Sequence, residues 1–276
     1  MERFYIVTND GKDKDRKITR HICDILKRAG KTCLLAQKDE NKNIIPDTVP
    51  RELDCAIVIG GDGSLIEVAR LVKSEIPILG INMGTLGYLT EVEISDLDEA
   101  IGKILDGNYQ IESRMMLEGS FEKADSDIAL NDIVVSRKGD LRVIHFNIYV
   151  DGAFLNSYEA DGMIVSTPTG STAYNLSAGG PIVEPTASMI VLTPICSHAL
   201  NTSSIVLPAE DEIVIEIGEG RNGREEEVFV TFDGADVVEL RTGDKVTITK
   251  SQHETKLMKL SKVSFLEILR RKMKGN

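Results

Sequence analysis

The segment CAIVIGGDGSLIEVA, residues 55–69, joins an apolar run to two glycines, an aspartate and a third glycine, and then to an amphipathic run. The apolar part is typical of a strand buried on both faces, and the residues after Gly63 have helical spacing. Glycines at such a turn permit positive φ angles and let backbone N–H groups approach an anionic ligand. The segment therefore predicts an open α/β sheet with a candidate ligand site around Asp62, although a plain turn capped by that aspartate fits the same residues.

The hundred residues around this turn alternate between strand and helix patterns. The runs RFYIVT, KTCLLA and IPILGI predict strands, and KITRHICDILKRAG predicts a helix that ends at Gly30. A further helix is expected in SDLDEAIGKILDG, with Ser95 as its N-cap and Gly107 as its stop. This alternation predicts a mostly parallel sheet covered by helices.

The pattern changes near Ser113, after which short extended segments follow one another with turn residues between them. Strands this dense, without intervening helices, predict a β-sandwich-like second domain. The terminal run SFLEILRRKMK is again helical and is expected to pack back on the first domain. We therefore predict an α/β domain over residues 1–112, a β-rich domain over 113–257 and a returning C-terminal helix within 258–276.

The chain carries 44 acidic and 32 basic residues, which gives it a formal net charge of −12. An acidic surface disfavours nucleic acid and anionic membranes as partners, and the lack of tryptophan argues against base-stacking platforms. A phosphorylated substrate would then need local help from a divalent cation, from backbone amides or from a few placed arginines.

The four cysteines, Cys23, Cys33, Cys55 and Cys196, lie far apart and form no CxxC pair. This pattern predicts buried thiols in a reducing compartment and argues against a disulfide framework or a zinc site. The first residues contain only a short apolar run, so we expect neither a signal peptide nor a membrane span. Together these observations predict a cytoplasmic protein.

Three further segments carry polar residues that are candidates for binding a ligand. GINMGTLGYLTEV, residues 80–92, predicts either a second close-approach loop containing Asn82 or a plain crossover. DGMIVSTPTGSTAYNLSAGGPIVEP, residues 161–185, is rich in hydroxyl groups, which suits a cradle for sugar hydroxyls and phosphates or a set of locally capped turns. In ALNDIVV, Asn131 and Asp132 interrupt an apolar strand, where a ligand or a satisfied bulge could partner them.

Taken in order, GGDGS, NMGTLGYLT, SRMML, ND, DGMIVSTPTGSTAYNLSAGGPIV and LTPICSHAL make the chain resemble the NAD kinase family over nearly its whole length. STPTGSTAYNLSAGGP is highly specific, whereas GGDG also occurs in diacylglycerol kinases and phosphofructokinases. The resemblance implies an α/β domain followed by a β-sandwich domain. It also implies an enzyme that transfers the terminal phosphate of ATP to the 2′-hydroxyl of the adenosine ribose of NAD, with magnesium bound to the ATP, in a homodimer or homotetramer.

The resemblance also assigns roles to individual residues. Asp62 matches the essential aspartate of the family, the proposed general base toward the 2′-hydroxyl. The residues expected to bind the ligands are Gly60, Gly61, Gly63, Asn82, Asn131, Asp132, Arg142, Glu159, Asp161, Thr169, Thr172, Ala173, Tyr174, Asn175, Leu176 and Ser177. No residue is expected to ligate a metal by itself.

The chain departs from the family pattern at several of these positions. Asp132 stands where a glutamate is usual and is one methylene shorter, so a hydrogen bond would shift while the acceptor remains. Ser64 replaces the commoner threonine, and Ser197 stands where a proline is usual. Glu159 lies in a region associated with the choice between NAD and NADH, and one residue leaves that choice open.

Three other functions share part of these features. A phosphofructokinase-like sugar kinase fits GGDGS, although such enzymes are usually longer. A lipid kinase shares GGDG and a β-rich domain, yet a lipid site does not explain STPTGSTAYNLSAGG. A non-catalytic dinucleotide sensor would keep the binding loops but has less use for the carboxylate of Asp62. Formation of NADP from NAD, ATP and magnesium separates the four.

Overall fold

The computed structural model describes residues 1–72, 76–84, 87–139, 143–197 and 203–274 of the chain. Its backbone contacts divide the chain into two compact units. The first unit consists of Met1–Ser113 and Glu254–Asn276, and the second consists of Arg114–His253. The chain thus leaves the first unit once and returns to it near its end.

The first unit contains a sheet whose paired strands run parallel. Its strands are β1 (Arg3–Thr8), β2 (Thr32–Leu35), β3 (Cys55–Gly60), β4 (Ile78–Asn82) and the short β5 (Val92–Glu93). They pair in the order β2-β1-β3-β4, and β5 pairs with the end of β4. β3 is buried along its whole length, which confirms the prediction made from its unbroken apolar run, and β4 is buried in the same way.

Three helices follow strands of this sheet, as the alternating pattern predicts. They are α1 (Lys17–Arg28), α2 (Asp62–Val72) and α3 (Leu97–Leu105). α1 buries Ile22 and Leu26 in one core with residues of the sheet. Gly30 and Gly107 follow α1 and α3 with φ of 76° and 72°, so both predicted stops are confirmed.

The predicted N-cap of α3 is wrong. A 3-10 turn, Ile94–Asp96, precedes the helix, and the backbone N–H of Leu97 donates to Ile94 O. The side chain of Ser95 turns to the neighbouring Asp96 and does not cap the helix, because the 3-10 turn already satisfies the first free amide.

The second unit is built almost entirely from antiparallel strands. In chain order its elements are β6 (Gln110–Phe121), β7 (Asp127–Ala129), β8 (Asp132–Arg137), β9 (Ile144–Val150), β10 (Ala153–Ala160), β11 (Gly162–Ser166), α4 (Tyr174–Ser177), β12 (Met189–Ile195), β13 (Ile205–Pro208), β14 (Ile213–Ile217), β15 (Glu227–Phe232), β16 (Ala235–Arg241) and β17 (Lys245–Lys259). β6 begins, and β17 ends, among residues assigned to the first unit.

These strands form two antiparallel layers. One has the order β13-β12-β11-β8-β15-β16, and the other joins β10-β9-β14-β17 to β6 and β7. Alternate apolar residues from both layers, such as Val165 and Val230 from one and Phe146 and Ile215 from the other, belong to a single buried core. The β-sandwich-like second domain predicted from the sequence is confirmed.

The chain ends with α5 (Phe265–Met273), which belongs to the first unit. Ser264 caps it by accepting a hydrogen bond from the backbone N–H of Glu267. The ring of Phe265 lies 6.2 Å from the ring of Tyr88, and Lys272 Nζ lies 4.2 Å from the centre of the same tyrosine ring. The predicted packing of the terminal helix on the first domain is therefore confirmed. No helix among the described residues is long and apolar enough to cross a membrane.

The prediction of four buried free thiols is wrong for three cysteines. Cys23 on α1 and Cys33 on β2 form a disulfide, with their Cα atoms 5.8 Å apart. The turn after α1 brings the two residues together, a proximity that their separation in the sequence does not reveal. Cys196 is free but exposed, whereas Cys55 is free and buried, as predicted.

Candidate active site

The glycine-rich turn of the first unit lies at the carboxyl end of its parallel sheet. Gly60 ends β3 and pairs with Asn82, which ends β4, so the two predicted loops leave neighbouring strands side by side. The side-chain amide of Asn82 donates to Gly84 O at 3.2 Å and its oxygen accepts from Gly84 N at 3.0 Å. Asn82 therefore shapes its own turn, at an edge of the sheet where open α/β folds bind ligands.

Asp62 is the first residue of α2, and its carboxylate accepts hydrogen bonds from the segment after β4. Oδ2 accepts from Tyr88 N at 2.7 Å, and Oδ1 accepts from Leu89 N at 3.2 Å and from Thr90 N at 3.1 Å. The hydroxyl of Thr90 donates the fourth bond to this carboxylate, to Oδ1 at 3.2 Å. A methyl group on Gly87 would collide with this carboxylate, so a glycine is required there. Asp62 thus holds both loops in one arrangement, in addition to any chemical role.

The second unit contains a pocket of about 360 Å³ near the hydroxyl-rich segment. Its lining residues are Asn131, Asp132, Val134, Ser136, Ala173, Tyr174, Thr231, Asp233 and Gly234. The structure thereby brings together four of the predicted ligand-binding residues from two segments. The side chains of Asn131 and Asp132 make no hydrogen bond with any part of the chain that the structure describes. Their polar groups are therefore available to a ligand.

Asp233 organises one wall of this pocket. Its Oδ2 accepts from Leu130 N at 2.8 Å, and its Oδ1 accepts from Asn131 N at 2.7 Å and from Asp132 N at 3.2 Å. In return, Asp233 N donates to Asp132 O at 3.0 Å. Sequence reasoning missed this residue. The Asp-Gly pair of TFDGAD, a typical hairpin turn, was the one available signal.

The carboxyl group of Asp132 has a raised pKa. Burial disfavours its charged form, the carboxylate of Asp233 adds repulsion, and together they raise the pKa of Asp132 to about 7. Near neutral pH this carboxyl can therefore donate a hydrogen bond as well as accept one. A protonated carboxyl group in this pocket can donate a hydrogen bond to a ligand hydroxyl or accept one from it.

This raised pKa predicts a pH-dependent stability. A carboxyl whose folded pKa lies above its unfolded value, about 3.9, destabilises the folded state as pH rises between the two values. Between the unfolded and the folded pKa, the free energy of unfolding falls by about 4 kcal/mol, at about 1.4 kcal/mol per pKa unit. We expect Asp132→Asn, which cannot ionise, to gain stability relative to the unmodified protein as pH increases from 4.5 to 7.5.

Urea unfolding at a series of pH values measures this difference. Glu225→Gln is the matched control, since Glu225 is exposed and its neutralisation should leave the pH profile unchanged. Parallel stability curves for Asp132→Asn and the unmodified protein would contradict the raised pKa.

The hydroxyl-rich segment is stabilised mainly by its own hydrogen bonds. Ser171 Oγ donates to Pro168 O and accepts from Val183 N, and Thr167 Oγ1 donates to Leu130 O at 2.6 Å. Asn175 is fully buried: its amide donates to Ser171 O and Pro181 O, and its oxygen accepts from Thr193 Oγ1. These contacts give the predicted site residue Asn175 a role in holding the segment folded.

The remaining predicted residues of this segment differ in accessibility. Thr169 is buried and accepts from Arg114, and Thr172 donates weakly to Thr169 O at 3.4 Å. Tyr174 and Leu176 on α4 have 47% and 40% of their surfaces exposed. Only the tyrosine lines the pocket, where its ring offers an apolar face to a ligand. Ser177 is exposed at the end of the same helix.

Outside the hydroxyl-rich segment, two more predicted residues of the second unit do not line this pocket and a third cannot be placed. Glu159 on β10 lies 3.3 Å from His145 Nε2 and 3.5 Å from the guanidinium of Arg221. Asp161 lies 3.5 Å from Arg137 Nε. Arg142 lies outside the described residues. Within the described parts of the chain, no group of three or more His, Cys, Asp or Glu side chains is placed to hold a metal ion.

Comparisons with known families match both parts of the chain. The profile described as the ATP-NAD kinase N-terminal domain matches residues 4–109. The profile described as the ATP-NAD kinase C-terminal domain matches residues 130–260. The two matched ranges together cover most of the sequence.

Curated proteins are similar over nearly the full length of the chain. A NAD kinase of Lachnospira eligens is 46% identical over 293 residues, which cover 99% of this chain and 100% of that protein. A NAD kinase of Agathobacter rectalis is 45% identical over 283 residues, which cover 100% of this chain and 99% of that protein.

Solved structures have the same fold. An NAD kinase from Archaeoglobus fulgidus in complex with ATP is 26% identical, with a TM-score of 0.77 and 94% of each chain covered. Yeast NADH kinase complexed with NADH is 22% identical, with a TM-score of 0.88, and covers 100% of this chain and 88% of that chain. At its identity, the second likeness is evidence for the fold alone.

Proposed function

Because the chain belongs to the NAD kinase family, we propose that it phosphorylates the 2′-hydroxyl of the adenosine ribose of NAD, with ATP as the donor and Asp62 as the base. It is an enzyme, a phosphotransferase that converts NAD to NADP. This conclusion rests on the similarity to curated NAD kinases, which are 46% and 45% identical to the chain over nearly its full length. A sugar kinase or a lipid kinase would not account for matches of this length in both parts of the chain.

In the transfer, the carboxylate of Asp62 would accept the proton of the attacking 2′-hydroxyl. A carboxylate is a weak base for a ribose hydroxyl, so the proton would move as the phosphoryl group is transferred and not before. Asp62 is supported in this role by its position at the turn after β3, at the carboxyl end of the parallel sheet, and three backbone amides fix the orientation of its carboxylate. Among the described residues, Oδ2 accepts only the bond from Tyr88 N, so it keeps a lone pair that can take the proton.

We assign the dinucleotide to residues of the second unit. The side chains of Asn131 and Asp132 have no hydrogen-bond partner among the described residues, and Tyr174 presents an exposed ring in the same pocket. These groups suit a ribose and the flat face of a base or nicotinamide. Asp161, Thr169, Thr172 and Ala173 remain predicted contributors, as do Arg142 and Glu159. The exposed Leu176 and Ser177 also remain predicted contributors, whereas Asn175 is proposed to keep the segment in shape.

Magnesium is proposed to arrive as part of the ATP substrate. The acidic chain has a net charge of −12, so a divalent cation would reduce repulsion from the phosphates. The amides of Gly60, Gly61 and Gly63 are proposed to contact the phosphates at close range. We also propose a homodimer or homotetramer in the cytoplasm, where the Cys23–Cys33 pair would meet reducing thiols.

NADP formation tests this function directly. Purified protein with NAD, ATP and magnesium should produce NADP, and adding a chelator in excess of magnesium should reduce the rate at least about 10-fold, because the phosphate charge is no longer neutralised. Restoring magnesium should restore the rate. NAD binding without any NADP, with ATP and magnesium both present, would instead favour the sensor.

A further inference from the structure

Lys12 lies beside the two turns that follow β3 and β4, which contain Gly61 and Gly84. It belongs to the turn after β1, in which Lys12 N and Asp13 N both donate to Asn9 O. A methyl group on Gly61 would lie 3.4 Å from Lys12 Nζ, and a methyl group on Gly84 would lie 3.3 Å from the same nitrogen. The ammonium group is therefore in contact distance of both turns, and of the residue next to Asp62.

The turn that carries Lys12 is tied to the neighbouring strand. Asn9 N donates to Ile59 O at 2.8 Å, and a methyl group on Gly60 would lie 3.4 Å from Asn9 Cβ. The sequence places Lys12 almost fifty residues before Gly61, so this contact depends on the parallel pairing of β1 with β3. A search of the sequence for a lysine beside GGDGS cannot find it.

Among the described residues, the two acids nearest to Lys12 in the sequence are engaged by other groups. Asp13 uses its carboxylate on Ile18 N, Thr19 N and Thr19 Oγ1, and Asp10 pairs with Arg16. Lys12 forms no ion pair within the chain as far as the structure describes it. An exposed ammonium group that faces two turns, and that has no anionic partner in the described parts of the chain, is suited to an anion from solution.

We propose that Lys12 binds the phosphate chain of the donor and stabilises the charge that develops on the transferred phosphoryl group. This inference rests on the proposed function, which places the transfer beside Asp62. A lysine is a compact point charge that commonly binds phosphate, and a cation close to the transferred group lowers the barrier of phosphoryl transfer. The residue acts on the donor, since the groups assigned to the dinucleotide belong to the second unit.

The test measures binding and catalysis in Lys12→Met, which removes the charge and keeps an unbranched side chain. Titration calorimetry with inorganic tripolyphosphate, and with ATP and magnesium, should show dissociation constants raised about 10- to 100-fold, as expected for loss of a charge-assisted contact. The dissociation constant of NAD should stay within about 2-fold. In steady state, KM for ATP should rise and kcat should fall, with KM for NAD unchanged.

Two further variants make the result specific. Lys12→Arg should recover most of the tripolyphosphate affinity, and Lys14→Met, at an exposed lysine two residues away, should behave like the unmodified enzyme. Unchanged tripolyphosphate binding in Lys12→Met, or weakened NAD binding with normal tripolyphosphate binding, would overturn the assignment. Because tripolyphosphate contains no nucleoside, this titration tests phosphate binding by Lys12 even if ATP proves not to be the donor.

Discussion

Asp62→Asn is expected to lower kcat at least about 100-fold while the protein stays folded, because a placed base contributes about 10²- to 10⁴-fold to such reactions. Asparagine is nearly the same size and keeps one oxygen, which can still accept from Leu89 N and Thr90 N. Its amide nitrogen would face Tyr88 N, so one of the backbone bonds is lost. The loss in turnover should therefore far exceed the loss in stability.

Steady-state kinetics and thermal unfolding of the same preparation separate the two roles of Asp62. Thr90→Val is the matched control, because it removes the hydroxyl bond to Asp62 Oδ1 and leaves the carboxylate in place. We expect this control to lose less than about 10-fold in kcat. If both variants lose activity to the same extent, Asp62 acts by holding the loop and not as a base.

Asp233→Ala is expected to destabilise the protein by about 3 kcal/mol or more. The substitution leaves the backbone amides of Leu130, Asn131 and Asp132 without their acceptor, and an unsatisfied buried donor costs about 1–3 kcal/mol. Asp233 also has a φ of 52°, a left-handed conformation that alanine tolerates poorly. Removing the neighbouring charge would ease the ionisation of Asp132, a smaller and opposite effect.

Urea unfolding at pH 7 measures this loss, and two further variants divide it into its causes. Asp233→Gly removes the carboxylate without backbone strain, so its difference from Asp233→Ala isolates the cost of the left-handed conformation. Asp233→Asn keeps one acceptor oxygen and should lie between Asp233→Gly and the unmodified protein. A loss below about 1 kcal/mol in Asp233→Gly would mean that water satisfies the three amides.

The parts of the fold that depend on local pattern could be predicted from the sequence. Apolar runs and helical spacing identified the parallel sheet, and Gly30 and Gly107 marked helix ends, because a residue in the left-handed conformation is a local requirement. The second domain followed from closely spaced strands. The prediction of Ser95 as the N-cap of α3 failed because a 3-10 turn satisfies the same amide. Single-residue preferences do not distinguish a side-chain cap from such a turn.

The parts of the site that depend on long-range pairing could not be predicted in the same way. Asn131 and Asp132 stood out as polar residues in an apolar strand, but Asp233, which holds them, lies about a hundred residues later. Lys12 and Gly61 meet only because β1 and β3 are neighbours. Nothing in the spacing of Cys23 and Cys33 indicates that a turn brings them together.

The two anchored carboxylates constrain how this sequence can change over evolutionary time. Asp62 and Asp233 each bridge to three successive peptide nitrogens, so the reach of the side chain is set to within one bond length, and glutamate would conserve charge but misplace the loop. The residues that supply those nitrogens do so whatever their side chains are. Selection can therefore exchange the pocket-lining side chains of Asn131 and Asp132 for new ligand preferences while the anchored backbone stays unaltered. Leu89, Thr90 and Leu130 are buried, so packing restricts the side chains at those positions.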